Sequence, residues 1–210
     1  MKHLRSLVSV LMISVLVISF TGCLGGKGFG PQELAAYADK EGAECYKDPD
    51  DWNDAYIDSY GDKDGIYIDS TEDIDSIVEN YFYLNGANPF EVTCYSIRYD
   101  DISFYAASMN FRDPNNAEWY FDSLAESAQT GKSELKDFCF KKTESNATKT
   151  ISVIYCWGDK GLYVCCGYYY NYAEYNILRF ECIGNKKDVV KIVEEFCQEF
   201  DLDSPAELGE

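Results

Sequence analysis

The sequence predicts an α+β fold, an antiparallel sheet with helices mostly on one face, and three observations point to it. Short β-rich runs separated by polar turns fill much of residues 90–183. Apolar residues at helical spacing mark separate segments around those runs. The order hairpin, turn, helix also recurs at an offset of 72 residues, with Val92 corresponding to Val164, Cys94 to Cys166, Phe111 to Ile183, Ala117 to Val189 and Leu124 to Phe196. Two β-β-α units of this kind would pack their helix stripes on a shared sheet and leave its other face to water or a partner.

In chain order, Pro31 to Cys45 follows Gly30 with Pro in the first turn and places Leu34, Tyr37 and Ala38 on one side, which reads as a helix. Asp48-Pro-Asp-Asp-Trp-Asn-Asp54 reads as a capped helix start and Gly65 to Asp69 as a short strand. Ser70-Thr-Glu-Asp73 then opens a helix with Ile74, Ile77, Val78, Tyr81 and Phe82 on its inner face, ended by Asn85-Gly86. Strands are expected at Phe90 to Tyr99 and Ile102 to Phe111, and a helix after Asp113-Pro-Asn-Asn116 with Ala117, Phe121, Leu124 and Ala128 along one side. Four further strands are expected at Leu135 to Glu144, Lys149 to Trp157, Gly161 to Tyr170 and Glu174 to Ile183. The last helix, Lys186 to Phe200, carries Val189, Ile192, Val193, Phe196 and Phe200 inward, and the acidic tail 201–210 reads as disordered.

The hairpins set registers. An Asp159-Lys160 turn puts Cys156 opposite Tyr163, and an Asn171-Tyr172-Ala173 loop puts Cys166 opposite Leu178 and Leu162 opposite Cys182. Leu162, Val164, Cys166, Leu178, Phe180 and Cys182 then share the apolar face on which the last helix packs.

The N-terminus carries a different signal. Lys2 and Arg5 precede an apolar run from Leu7 to Phe20 that stops at Thr21-Gly22-Cys23. At about 1.5 Å rise per residue the run is too short as a helix for a hydrocarbon core of about 30 Å, and its length and flanks are those of a secretory signal. Phe20-Thr21-Gly22-Cys23 resembles the lipobox of bacterial lipoproteins, with Phe20 where that family usually has Leu. The resemblance implies a signal peptide over 1–22 and a diacylglycerol thioether on Cys23, which becomes the mature N-terminus; it says nothing of the activity of the rest. Residues 23–30 would then form a Gly-rich tether with a reach of about 15 Å, followed by one domain over 31–200. Several acyl chains on one residue give lasting attachment where one gives only marginal binding.

Losing Lys2 and Arg5 takes the formal charge from −19 to −21. Such a domain gains nothing from counterion release, so nucleic acid is not an expected partner. Residues 39–79 hold fifteen acids against three lysines. Within them Asp62-Lys-Asp64-Gly65 matches part of a calcium loop but has Tyr60 and Thr71 at the first and twelfth positions, so it reads as a turn. Gly131-Lys132-Ser133 lacks the first glycine and the preceding strand of a phosphate-binding loop.

Eight cysteines follow Cys23, and two readings stay open for them: disulfides, with Cys197 meeting Cys166 or Cys182, or reduced core thiols. No C-x-x-C occurs, and no metal or cofactor is expected. The one histidine, His3, lies in the signal, so imidazole-dependent nucleophiles are excluded from the mature chain. Tyrosines crowd one hairpin, and Tyr168, Tyr169, Tyr170 and Tyr172 are the candidate platform for an envelope protein, a peptide or a glycan. The expected function is a membrane-tethered extracytoplasmic binding or accessory lipoprotein. The competing expectation is a carboxylate-dependent glycoside hydrolase, which would need a cleft with two partly buried acids about 5 to 9.5 Å apart.

Overall fold

The computed structural model describes residues 28–46, 63–68, 87–99, 101–130, 132, 135–157 and 161–209. The signal peptide, Cys23, the helix starts after Asp48 and Ser70 and the Asp159-Lys160 turn lie outside them. Three α-helices are described: α1 (Pro31–Lys40), α2 (Pro114–Thr130) and α3 (Lys186–Glu199). The strands are β1 (Glu44–Tyr46), β2 (Lys63–Ile68), β3 (Pro89–Tyr99), β4 (Ile102–Phe111), β5 (Asp137–Glu144), β6 (Thr148–Trp157), β7 (Leu162–Asn171) and β8 (Asn176–Gly184). They form one sheet in the order β1-β2-β3-β4-β8-β7-β6-β5. Every pairing is antiparallel except β1 with β2. The fold is α+β, as the sequence predicts.

The two β-β-α units are β3-β4-α2 and β7-β8-α3, joined edge to edge through β4 and β8. Their helices part company. Ala117, Tyr120, Phe121 and Ala125 of α2 pack with Val92, Cys94, Met109, Ile151, Val153, Val164 and Cys166 on one face. Leu34 and Ala38 of α1 and Val189, Val193, Phe196 and Cys197 of α3 pack with Tyr95, Phe104, Ile154, Cys165, Leu178 and Phe180 on the other. Two of the three described helices thus share a face, but neither face is left to water. The strand segment Glu91 to Ile97 is accordingly buried at every position, because both of its side-chain rows meet a helix layer.

Local chemistry sets the helix ends. α1 stops at Lys40, five residues short of the expected Cys45, because Gly42 turns at φ +78° and the Ala43 and Gly42 amides return to the Ala38 and Asp39 carbonyls. α3 opens on Asn185, whose side chain accepts from the Asp188 amide at 3.1 Å. Asn185→Ala is expected to lower the unfolding free energy by about 1 kcal/mol, measured by urea denaturation; an unchanged midpoint would show that the cap contributes nothing.

Cys156 lies opposite Tyr163, as expected. The next hairpin differs: residues 172–175 form its loop and Asn171 pairs with Asn176, so Cys166 faces Glu181 and Cys165 faces Cys182. The register moves by three residues, an odd number that turns one strand's alternate side chains over relative to the other's. Val164 and Cys166 consequently sit under α2, while Leu178, Phe180 and Cys182 sit under α3.

Among the described residues, both Phe29 and the tail after Phe200 are more ordered than the sequence suggests. Phe29, assigned to the tether, is buried against Tyr169 at 6.3 Å between centroids, and its carbonyl accepts from the Ser108 hydroxyl at 2.6 Å. The tail does not run free: the Tyr169 hydroxyl donates to the Asp203 carbonyl at 2.7 Å, Ala206 is buried, and Pro205–Gly209 forms a 3-10 turn. Leu202, Ala206 and Leu208 supply the apolar contacts that outweigh the acids.

Candidate functional site

Beneath the C-terminal half of α2 the alternate residues of four neighbouring strands converge. Phe138 of β5 lies opposite Tyr155 of β6, Tyr155 opposite Val164 of β7, and Val153 opposite Cys166. Cys166 in turn faces Glu181 of β8, and Tyr168 faces Arg179. Ala128 and Ser127 of α2 close the space from above, leaving a pocket of about 360 Å³ lined by Phe138, Tyr155, Cys166, Tyr168 and Glu181.

The polar groups of this face are linked. The Cys166 thiol donates to Glu181 Oε2 at 3.6 Å. Arg179 Nη1 donates to the Tyr120 hydroxyl at 3.3 Å and its guanidinium lies over the Tyr105 ring, 5.8 Å from the centroid. Among the described residues no Lys or Arg forms an ion pair with Glu181. Burial raises the pKa of Tyr155 and Tyr168, the neighbouring Cys166 and Glu181 add to it, and Arg179 opposes it at Tyr168 without outweighing burial, so both phenols stay protonated and able to donate. Burial, followed by the Glu181 charge, also pushes the Cys166 thiol well up. A reactive cysteine needs the opposite environment. At the rim, Phe138 stacks on Phe140 at 6.5 Å and Trp157, 40% exposed, stacks on Tyr155 at 5.5 Å.

The pocket can enclose a compact organic molecule against aromatic faces, with one carboxylate and two phenols to orient it. Glu181 is the one acid in its lining, where the glycosidase expectation asks for two. A second concavity of about 290 Å³ gathers Glu144, Asp201 and Asp203 beside Thr148 and Thr150, but all three acids are exposed. Among the described residues no group of three or more His, Cys, Asp or Glu is placed to hold a metal ion.

The hairpin tyrosines do not make the expected platform. Tyr169 and Tyr170 are 1% and 2% exposed, on opposite faces of the sheet, and Tyr168 and Tyr172 are half-buried under α2's side. The cause is that helices cover both faces, so alternation sends every second tyrosine into one core or the other. Only Tyr168 enters the pocket. The seven described cysteines downstream of Cys45 are free thiols. Cys166 is separated by the sheet from Cys182 and Cys197, which rules out its pairing with Cys197; Cys165, Cys182 and Cys197 share the other face.

Glu181, Arg179, Tyr155 and Phe138 were not among the sequence candidates. A signal for two of them existed: Ile177, Arg179, Glu181 and Ile183 are alternate residues of one strand, and two charges inside an apolar row mark a polar site in the core.

The chain matches no protein-family model, and no curated protein is significantly similar to it. Among the described residues no helix is long and apolar enough to cross a membrane.

Proposed function

We propose that this is a membrane-tethered extracytoplasmic lipoprotein whose globular part binds a small organic ligand in the pocket beneath α2. The pocket is the observation that carries the binding half of this reading, and the lipobox-like run ending at Cys23 supports the tethered half. Phe29, inside the expected tether 23–30, is packed into the core, so the globular part begins closer to Cys23 than the sequence suggests. A lipid on Cys23 would keep the ligand site close to the outer leaflet, while a net charge of −21 after signal removal holds the surface off anionic headgroups.

Fluorotyrosine-labelled full-length protein in phosphatidylglycerol nanodiscs tests the pocket. Benzyl alcohol, a neutral aromatic probe, is expected to shift the Tyr155 and Tyr168 resonances saturably, and Ala128→Trp, which fills the space from α2, to abolish the shift. A wild-type protein in which neither resonance moves would overturn the reading.

A further inference from the structure

We propose that the ligand of this pocket is an organic cation, an alkylated ammonium, held between the Glu181 carboxylate and the rings of Phe138, Tyr155 and Tyr168; the proposal rests on the binding reading above. Glu181 is half-buried, and the single side-chain donor that reaches it is a thiol at 3.6 Å. A thiol is a weak donor and leaves most of the carboxylate's acceptor capacity unused. No Lys or Arg of the described residues pairs with it. A neutral apolar occupant would strip water from that carboxylate and return nothing, and an anion would be repelled by it. A cation replaces the lost hydration.

The aromatic wall makes the same choice. An ammonium is attracted to the face of an aromatic ring within about 6 Å of its centroid. The protein's own Lys132 ammonium lies over Phe138, 5.9 Å from the centroid, at the edge of the pocket. Elsewhere on this side of the sheet Lys142 lies over Phe121 at 6.0 Å and Lys149 over Tyr172 at 5.4 Å. Three lysines of the chain thus already set their ammonium groups over ring faces. The pocket's own lining holds the rings and the carboxylate and no Lys or Arg, and the nearby Arg179 is engaged with Tyr120 and Tyr105. The formal charge of the whole chain, −19, adds long-range attraction for a cationic ligand.

Choline and its neutral carbon isostere, 3,3-dimethylbutan-1-ol, separate charge from shape. In the full-length nanodisc protein choline is expected to saturate the Tyr155 and Tyr168 shifts with a Kd roughly tenfold or more below that of the isostere. Glu181→Gln is expected to remove that advantage, because choline loses its counter-charge and the isostere no longer desolvates a carboxylate. Should that variant fail to fold, Tyr155→Leu serves instead, read on the Tyr168 resonance, and is expected to weaken choline several-fold more than the isostere. Equal binding of the two probes, or an unchanged preference in the variants, overturns the cation proposal; if benzyl alcohol still binds, the binding reading survives. Failure of all three probes to shift either tyrosine overturns both.

Discussion

Replacing Phe196 by Ala is expected to lower the unfolding free energy by about 4 kcal/mol, among the costliest single truncations in the molecule. Phe196 is fully buried on α3 and its ring meets Phe104 and Phe200 at 5.0 Å and Tyr37 and Phe180 at 5.4 Å. It therefore joins α1, α3, β4 and β8 in one contact. Those neighbours are not free to close over a void. Phe180 lies directly above Gly167, where a Cβ would come within 2.5 Å of the ring, and it also stacks on Tyr169 at 6.1 Å. A cavity on this face thus persists, and the cost falls toward the upper part of the range for Phe truncations. Guanidinium denaturation of wild type and variant measures it; a loss below about 1 kcal/mol would show that the helix layer relaxes in a way this packing does not permit.

Stability is expected to fall steeply as pH rises from about 9 to about 12. Burial pushes the Cys182 thiol up to about 12, with the Glu181 charge adding to it. Burial likewise pushes Cys197 up to about 12, opposed by the Tyr169 hydroxyl and helped by Asp203. The folded pKa exceeds the unfolded value of 9.0 in both cases. Below pH 9 both states hold the proton, and the stability is fully present. Above it the unfolded chain ionises while the folded chain does not, so unfolding is favoured until the folded thiols titrate near 12. Each thiol contributes a slope of about 1.4 kcal/mol per pH unit within that window. Cys165, on the same face and raised for the same first cause, acts in the same direction. Urea denaturation at pH 8 and pH 10.5 is expected to show the loss, and a Cys182→Ala/Cys197→Ala variant to show a shallower one. A variant with the wild-type slope would mean that these thiols ionise freely in the folded state.

What the sequence made legible was mostly local. Ile102 to Phe111 is a strand over its expected span, because two polar residues separate it from β3 and Asp113-Pro114 ends it. The last helix was readable from its apolar stripe, and Val189, Val193 and Phe196 are buried as the 3.6 period requires. The β6 to β7 register was readable because the two β-rich runs lie so close in sequence that a two-residue turn fixes it, and Cys156 pairs with Tyr163.

The rest depended on geometry between distant segments. The β7 to β8 loop holds four residues rather than three, with Tyr175 at φ +53°. No residue type announces that conformation, and it decides which of Cys165 and Cys166 faces α3. The side taken by α2 was equally hidden. Its apolar stripe fits either face, and β4 passes to it through two residues, Arg112 and Asp113, that leave both courses open. The pocket exists only because α2 takes the face opposite α3, so the tyrosine cluster of the β7–β8 hairpin pointed to Tyr168 but not to Glu181 on the facing strand. The tail misled because its acids were counted without Leu202, Ala206 and Leu208.

The role at a membrane surface rests on lipid joined to Cys23. Growth of an expressing bacterial host on an alkyne-bearing fatty acid, followed by capture of the full-length protein and its Cys23→Ala variant, measures that attachment directly. The expected result is strong labelling of the wild type, its recovery with the membrane, and no labelling of the variant. Equal labelling of the two, or an unlabelled wild-type protein recovered away from the membrane, would contradict it.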